Sequence, residues 1–85
     1  MQVTVLLSPE AQGEFDALPP TIRARVLRVF ERLRDWPRIS GAKPLSGDWA
    51  GHFRIRTGDW RVIVRVVTPA IIVVRIKHRS EVYED

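Results

Sequence analysis

Between His52 and Arg79 the chain carries Arg54, Arg56, Arg61, Arg65, Arg75, Lys77 and Arg79, and against them a single acid, Asp59. Most of these cations stand at alternate positions within β-branched or apolar runs. Side chains alternate faces along a strand, so this spacing gathers charge on one side of a sheet. In 52–57, His52, Arg54 and Arg56 share one parity, and Phe53, Ile55 and Thr57 the other. In 60–67, Arg61, Ile63, Arg65 and Val67 oppose Trp60, Val62, Val64 and Val66. In the last run, Ile71, Val73, Arg75 and Lys77 oppose Ile72, Val74 and Ile76. The pattern predicts one apolar face and one face collecting Arg54, Arg56, Arg61, Arg65, Arg75 and Lys77 with no acid between them. The solvent side of an antiparallel sheet is polar in any case. Like charges on neighbouring strands repel, however, and natural faces mix signs. An unmixed arginine face is better accounted for as an anion site, because the planar guanidinium fork holds two phosphate oxygens at once.

Other chemistries find no support. His52 and His78 lack metal-ligand spacing, and no Cys or Asp cluster accompanies them. The five glycines are scattered and make neither a phosphate loop nor a dinucleotide fingerprint. Ser8, Ser40, Ser46 and Ser80 have no base in a recognised nucleophile arrangement. No metal and no cofactor is therefore expected. Arg25, Arg28 and Arg32 form a helical stripe that reads as a solvated face, with Glu31 and Asp35 near enough to pair.

The elements that must hold the cationic face follow from periodicity and turn chemistry. Residues 2–7 are β-branched and apolar, a first strand. Ser8-Pro9-Glu10 is a helix start: a serine to cap free amides, a proline at the first helical position and an acid at the positive end of the dipole. Ala11, Phe15 and Leu18 make its buried stripe, and Pro19-Pro20 ends it. A second helix runs from Pro20 or Thr21 to about Asp35, with Ile22, Val26, Val29, Phe30 and Leu33 on its inner face. The short connection predicts an antiparallel helical hairpin. Pro37 stops the second helix, and residues 37–48 read as a loop. Beyond it the period changes to two. Gly58-Asp59 is a hairpin turn with Gly suited to the first central position of type II′, and Thr68-Pro69-Ala70 is a second turn before the last strand. The order is β-α-α-β-β-β: an α+β domain with a helical hairpin on one face of a mainly antiparallel sheet.

Composition sets the outer limits. The chain has 85 residues, suited to one domain over 1–85 with a thin core. Cysteine is absent, so neither disulfides nor thiolate-bound zinc staple it. Apolar and charged fractions of 45% and 28% are those of a globular domain. No run approaches the ~20 apolar residues of a membrane span, and no membrane partner is expected. The opening Met1-Gln2-Val3-Thr4-Val5 has no basic leader, which makes the cytoplasm the expected location. The net charge of +4 favours a polyanionic partner.

One family shows this string of features in order. Pro44-Leu45-Ser46-Gly47, Gly51-His52-Phe53-Arg54-Ile55-Arg56, Gly58-Asp59-Trp60-Arg61-Val62-Ile63 and His78-Arg79-Ser80-Glu81-Val82-Tyr83 resemble the pattern of RelE/ParE toxins. That pattern is a leucine-glycine loop, an aromatic-R-I-R strand, a G-D-aromatic-R-V-I hairpin and a basic strand end closing on tyrosine. For the RelE branch the resemblance implies a ribosome-dependent messenger-RNA endoribonuclease that needs no metal, in which a 2′-hydroxyl attacks the adjacent phosphate. It implies catalytic roles for Arg54, Arg56, Arg61, Lys77 and Tyr83, with His78 as a further acid-base group. Arg65, Arg75 and Arg79 are expected to bind nucleic-acid phosphates. Fixed cations suit this chemistry, because a pentacoordinate phosphate builds negative charge. Tyr83 could stack on a base, assist proton transfer or plug the end of the sheet. The implied partners are a cognate antitoxin, the ribosome and its mRNA, and operator DNA only through the antitoxin complex. Two other readings stay open: a ParE-like inhibitor that acts by binding DNA gyrase, and a non-catalytic nucleic-acid-binding module.

Overall fold

The computed structural model describes residues 3–81. Its elements are β1 (Thr4–Leu7), α1 (Pro9–Asp16), α2 (Pro20–Leu33), β2 (Lys43–Pro44), β3 (His52–Thr57), β4 (Trp60–Val67) and β5 (Ala70–His78), with short 3-10 turns at Gly47–Trp49 and Arg79–Glu81. The expected α+β architecture is present. Two helices cover one face of a five-stranded mixed sheet of order β1-β5-β4-β3-β2.

Local chemistry accounts for most element boundaries. The Ser8 hydroxyl accepts from the Ala11 N–H at 3.1 Å, Pro9 occupies the first turn of α1, and Glu10 lies in the same turn. The helix closes at Asp16, short of the proline pair, and Leu18 is carried into the core by the turn that follows. Val26, Val29 and Leu33 of α2 are buried, with Ile22 and Phe30 packed beside them. Phe15 and Phe30 meet with ring centroids 5.7 Å apart and clasp the helical hairpin. Gly58 adopts φ +61°, the left-handed value that its turn position requires. Among the described residues no helix is long and apolar enough to cross a membrane.

Three features of the sheet correct the sequence reading or add to it. First, the segment 37–48 is not wholly loop: Lys43 and Pro44 pair antiparallel with Arg54 and Phe53 as the edge strand β2. A two-residue strand containing proline is too short for any periodicity to show. Second, β1 pairs in parallel with β5, Thr4 opposite Ala70 through Leu7 opposite Val73. Third, the alternation of β5 is broken. Val62 faces Ile76 and Ile63 faces Arg75, but Val64 then faces Val73, so β5 carries one extra residue at Val74. This bulge reverses parity. Ile71 and Val73 therefore join Ile76 in the core instead of opposing it, while Ile72 is turned to the other face.

Candidate nucleic-acid interface

The face of the sheet turned away from the helices is organised in rows by strand register. Arg56, Arg61 and Lys77 stand directly opposite one another across β3, β4 and β5. The next row is Lys43, Arg54, Ile63 and Arg75 across β2 to β5. The third is His52, Arg65 and Ile72. The face thus brings together Arg54, Arg56, Arg61, Arg65, Arg75 and Lys77, as alternation predicted, and adds Lys43. Nothing in the local pattern marked Lys43; only its pairing with Arg54 places it there.

The cations are held unequally. Arg54 and Arg61 are nearly inaccessible, at 6% and 7% exposure. The Arg61 guanidinium donates through Nη1 to the carbonyls of Gly58 at 3.0 Å and Trp60 at 3.2 Å, so the turn that precedes it also anchors it. Arg56 and Arg65 are exposed. Ile63 is fully buried in the middle of its row, between Arg54 and Arg75 in register. Long basic side chains lay their aliphatic stems over such a residue and keep the charged heads outward. His52 lies at the rim, its Nδ1 donating to the Trp49 carbonyl at 3.2 Å and its ring edge-on to Trp49.

An acid does enter this face, contrary to the reading from the strands alone. Glu14 reaches it from α1. Its Oε2 lies 2.9 Å from Lys77 Nζ and 3.1 Å from Arg75 Nε, and its Oε1 accepts from the Ile76 N–H at 2.7 Å. Burial pushes the carboxyl up; the Ile76 N–H, Lys77 and Arg75 outweigh that and hold it below its ordinary value of 4.5. The strand pattern does not disclose this contact, because Glu14 lies 61 residues from Arg75 in the chain.

Two expected residues lie apart from the rows. His78 is in register with Trp60, on the helix-covered side, with the two rings 5.4 Å apart and nearly perpendicular. Its Nδ1 accepts from the Ser80 N–H at 3.2 Å and lies 2.9 Å from the Ser80 hydroxyl. Arg79 follows the strand and is exposed; its N–H donates to the Asp59 carbonyl at 2.7 Å and its side chain stands 3.8 Å from the Asp59 carboxylate. Tyr83 lies outside the described residues. Among those described, no group of three or more His, Cys, Asp or Glu is placed to hold a metal ion.

The surface so formed is suited to a phosphate chain: closely spaced cations, several of them held by hydrogen bonds or ion pairs, in register across β3, β4 and β5. Residues 5–83 match the family model described as the ParE toxin of type II toxin-antitoxin system, parDE. The chain is 33% identical over 86 residues to Toxin RelG of Mycobacterium tuberculosis, with 98% of each chain covered. The fold superimposes on the toxin-antitoxin complex RelBE2 of the same organism with a TM-score of 0.82 and 30% identity, covering 93% of this chain and 100% of that one. The archaeal RelE-RelB complex from Pyrococcus horikoshii gives a TM-score of 0.77 at 26% identity, covering 96% and 100%. With a family model spanning almost the whole chain and a relative similar from end to end, this chain belongs to the ParE toxin family of type II toxin-antitoxin systems, within the RelE/ParE superfamily.

Proposed function

We propose that this toxin is a ribosome-dependent endoribonuclease that cleaves messenger RNA and is neutralised by a cognate antitoxin. The observation that carries the reading is the register of Arg56, Arg61 and Lys77, three cations side by side on the face turned away from the helices, with Arg54 and Lys43 in the adjoining row. In cleavage, the 2′-hydroxyl of one nucleotide attacks the next phosphate, and the leaving 5′-oxygen departs with a proton. Arg61 and Lys77 stabilise the charge that builds on the non-bridging oxygens, and Arg54 and Arg56 hold the flanking backbone. Arg65, Arg75 and Arg79 contact more distant phosphates. Proton transfer falls to Tyr83 or to His78; His78 would have to work from the Trp60 side of the strand end. The antitoxin follows from relatives whose structures are toxin-antitoxin or RelE-RelB complexes. An extended acidic segment suits this face, and operator DNA is then reached through the antitoxin.

The ParE family match favours a second reading, inhibition of DNA gyrase by binding. The RelG and RelBE2 resemblances, together with the cation rows, favour RNA. Induced expression followed by mapping of transcript ends and of gyrase-linked DNA breaks separates the two. Ribosome-phased transcript ends without DNA breaks are expected; DNA breaks with intact transcripts would replace the first reading with the second.

A further inference from the structure

β1 ends opposite Val73, and among the described residues no strand lies beside the outer edge of β5 beyond that point. The chain closes this edge with groups from the N-cap and the body of α1. Ser8 donates its N–H to the Val73 carbonyl at 2.9 Å and its hydroxyl to the Val74 carbonyl at 3.1 Å. The next inward donor, the Ile76 N–H, is taken by Glu14 Oε1 at 2.7 Å. Glu14 therefore stands where a longer β1 would have placed a backbone carbonyl. Because one oxygen is anchored to the backbone, the other is fixed in space, and on it converge Lys77 Nζ and Arg75 Nε.

We propose that Glu14 is a positioning residue for the RNA-cleaving face, holding the Lys77 ammonium in line with Arg61 and Arg56. A lysine is a compact charge on a flexible four-carbon stem and loses much rotamer freedom when it must sit in one place. Arg61 has the turn carbonyls to hold it. Lys77, the next member of the same row, has Glu14. The carboxylate takes part in no bond change. Its effect is to deliver a cation already placed, at the cost of one negative charge beside the phosphate path. The effect on cleavage rests on the endoribonuclease reading; the placement of Lys77 does not.

The test uses the isolated chain and its two lysines, Lys43 and Lys77. In nuclear magnetic resonance of the wild-type chain, the Lys77 ammonium should give a slowly exchanging signal, assigned by comparison with Lys43→Arg. A coupling across the hydrogen bond to the Glu14 carboxyl should also be seen. In Glu14→Gln the amide oxygen still accepts from Ile76, so the fold is kept, but the charge is gone and the Lys77 signal should be lost to exchange. Single-turnover cleavage of a ribosome-bound transcript should fall by about ten- to a hundredfold, with the half-saturating ribosome concentration little changed. A Lys77 signal with no coupling to Glu14 in the wild type, or one that survives in Glu14→Gln, overturns the proposal. So does a Glu14→Gln rate equal to that of the wild type when Lys77→Ala has lost activity. If the wild type itself does not cleave, the endoribonuclease reading fails, and the ammonium signal still decides whether Glu14 places Lys77.

Discussion

Arg61 and Lys77 are neighbours in one row, yet they are held by opposite means. Arg61 is tied to carbonyls one and three residues away, within its own hairpin. Lys77 is tied to Glu14, whose contacts with β5 bridge more than 60 residues of chain. A cation held by its own turn is in place once the hairpin forms. A cation held by a remote acid is in place only when α1 has docked along β5. Arg65, exposed and in the third row, is expected to act chiefly through its charge. The same surface thus contains charges fixed locally, charges fixed by tertiary contact, and charge presented on an exposed side chain.

The largest expected effect is at the locally held residue. Arg61→Ala should lower cleavage and toxicity by about a hundredfold, the scale of one preorganised electrostatic donor. Arg61→Lys should recover little, because a point charge cannot reproduce the fork. Toxicity on induction and single-turnover assays measure this, with the outward-facing Arg28→Ala as the toxic control. Full activity of soluble Arg61→Ala would remove Arg61 from the chemistry and with it the contrast with Lys77.

The hairpin that holds Arg61 can be strained separately. Gly58 has φ +61°, and a Cβ there would stand 2.8 Å from Arg25 Nη1. The arginine end can move aside, so the cost is mainly conformational. Gly58→Ala should destabilise by about 1–2 kcal/mol, read from the shift in urea midpoint. Cleavage by the folded fraction should fall as well, since the Gly58 carbonyl is one of the Arg61 anchors. An unchanged midpoint would mean that the turn relaxes without cost.

A smaller effect is expected from the exposed charge of Arg65. Arg65→Ala should reduce the slope of log affinity for ribosomal RNA against log salt by roughly one unit, with the rate of the bound complex unchanged. A fall in that rate with no change in slope would move Arg65 from the phosphate path into the reacting centre.

The least effect is one of direction. The Glu14 carboxyl is held below its ordinary 4.5 in the folded chain, so folding is favoured by its ionisation. That stabilisation is complete above the unfolded-state value and is lost as pH falls through the folded value. Urea midpoints should therefore decline below about pH 4.5 more steeply in the wild type than in Glu14→Gln. Parallel declines in the two would show that the Glu14 contacts carry no net stabilisation.

Legibility in the sequence divides along the same line as the two holds. Arg54, Arg56, Arg61 and Arg65 could be assigned to one face because a strand alternates with period two, and that period is a property of neighbouring residues. Ser8-Pro9 announced α1, the Val26, Val29 and Leu33 spacing announced the inner face of α2, and Gly58-Asp59 announced the turn, each through chemistry spanning only a few residues. Tertiary structure alone decided that β1 lies parallel to β5, that Lys43 completes a cation row and that β5 bulges at Val74. It also decided that Glu14 enters a face whose strands contain no acid of their own. The Lys43 row and the Val74 bulge depend on the register that neighbouring strands adopt, and the β1 and Glu14 contacts on which distant segment packs alongside. A pairing partner some 60 to 70 residues away imposes no period and no turn chemistry on the residues it will meet, so the sequence near either partner carries no trace of the other.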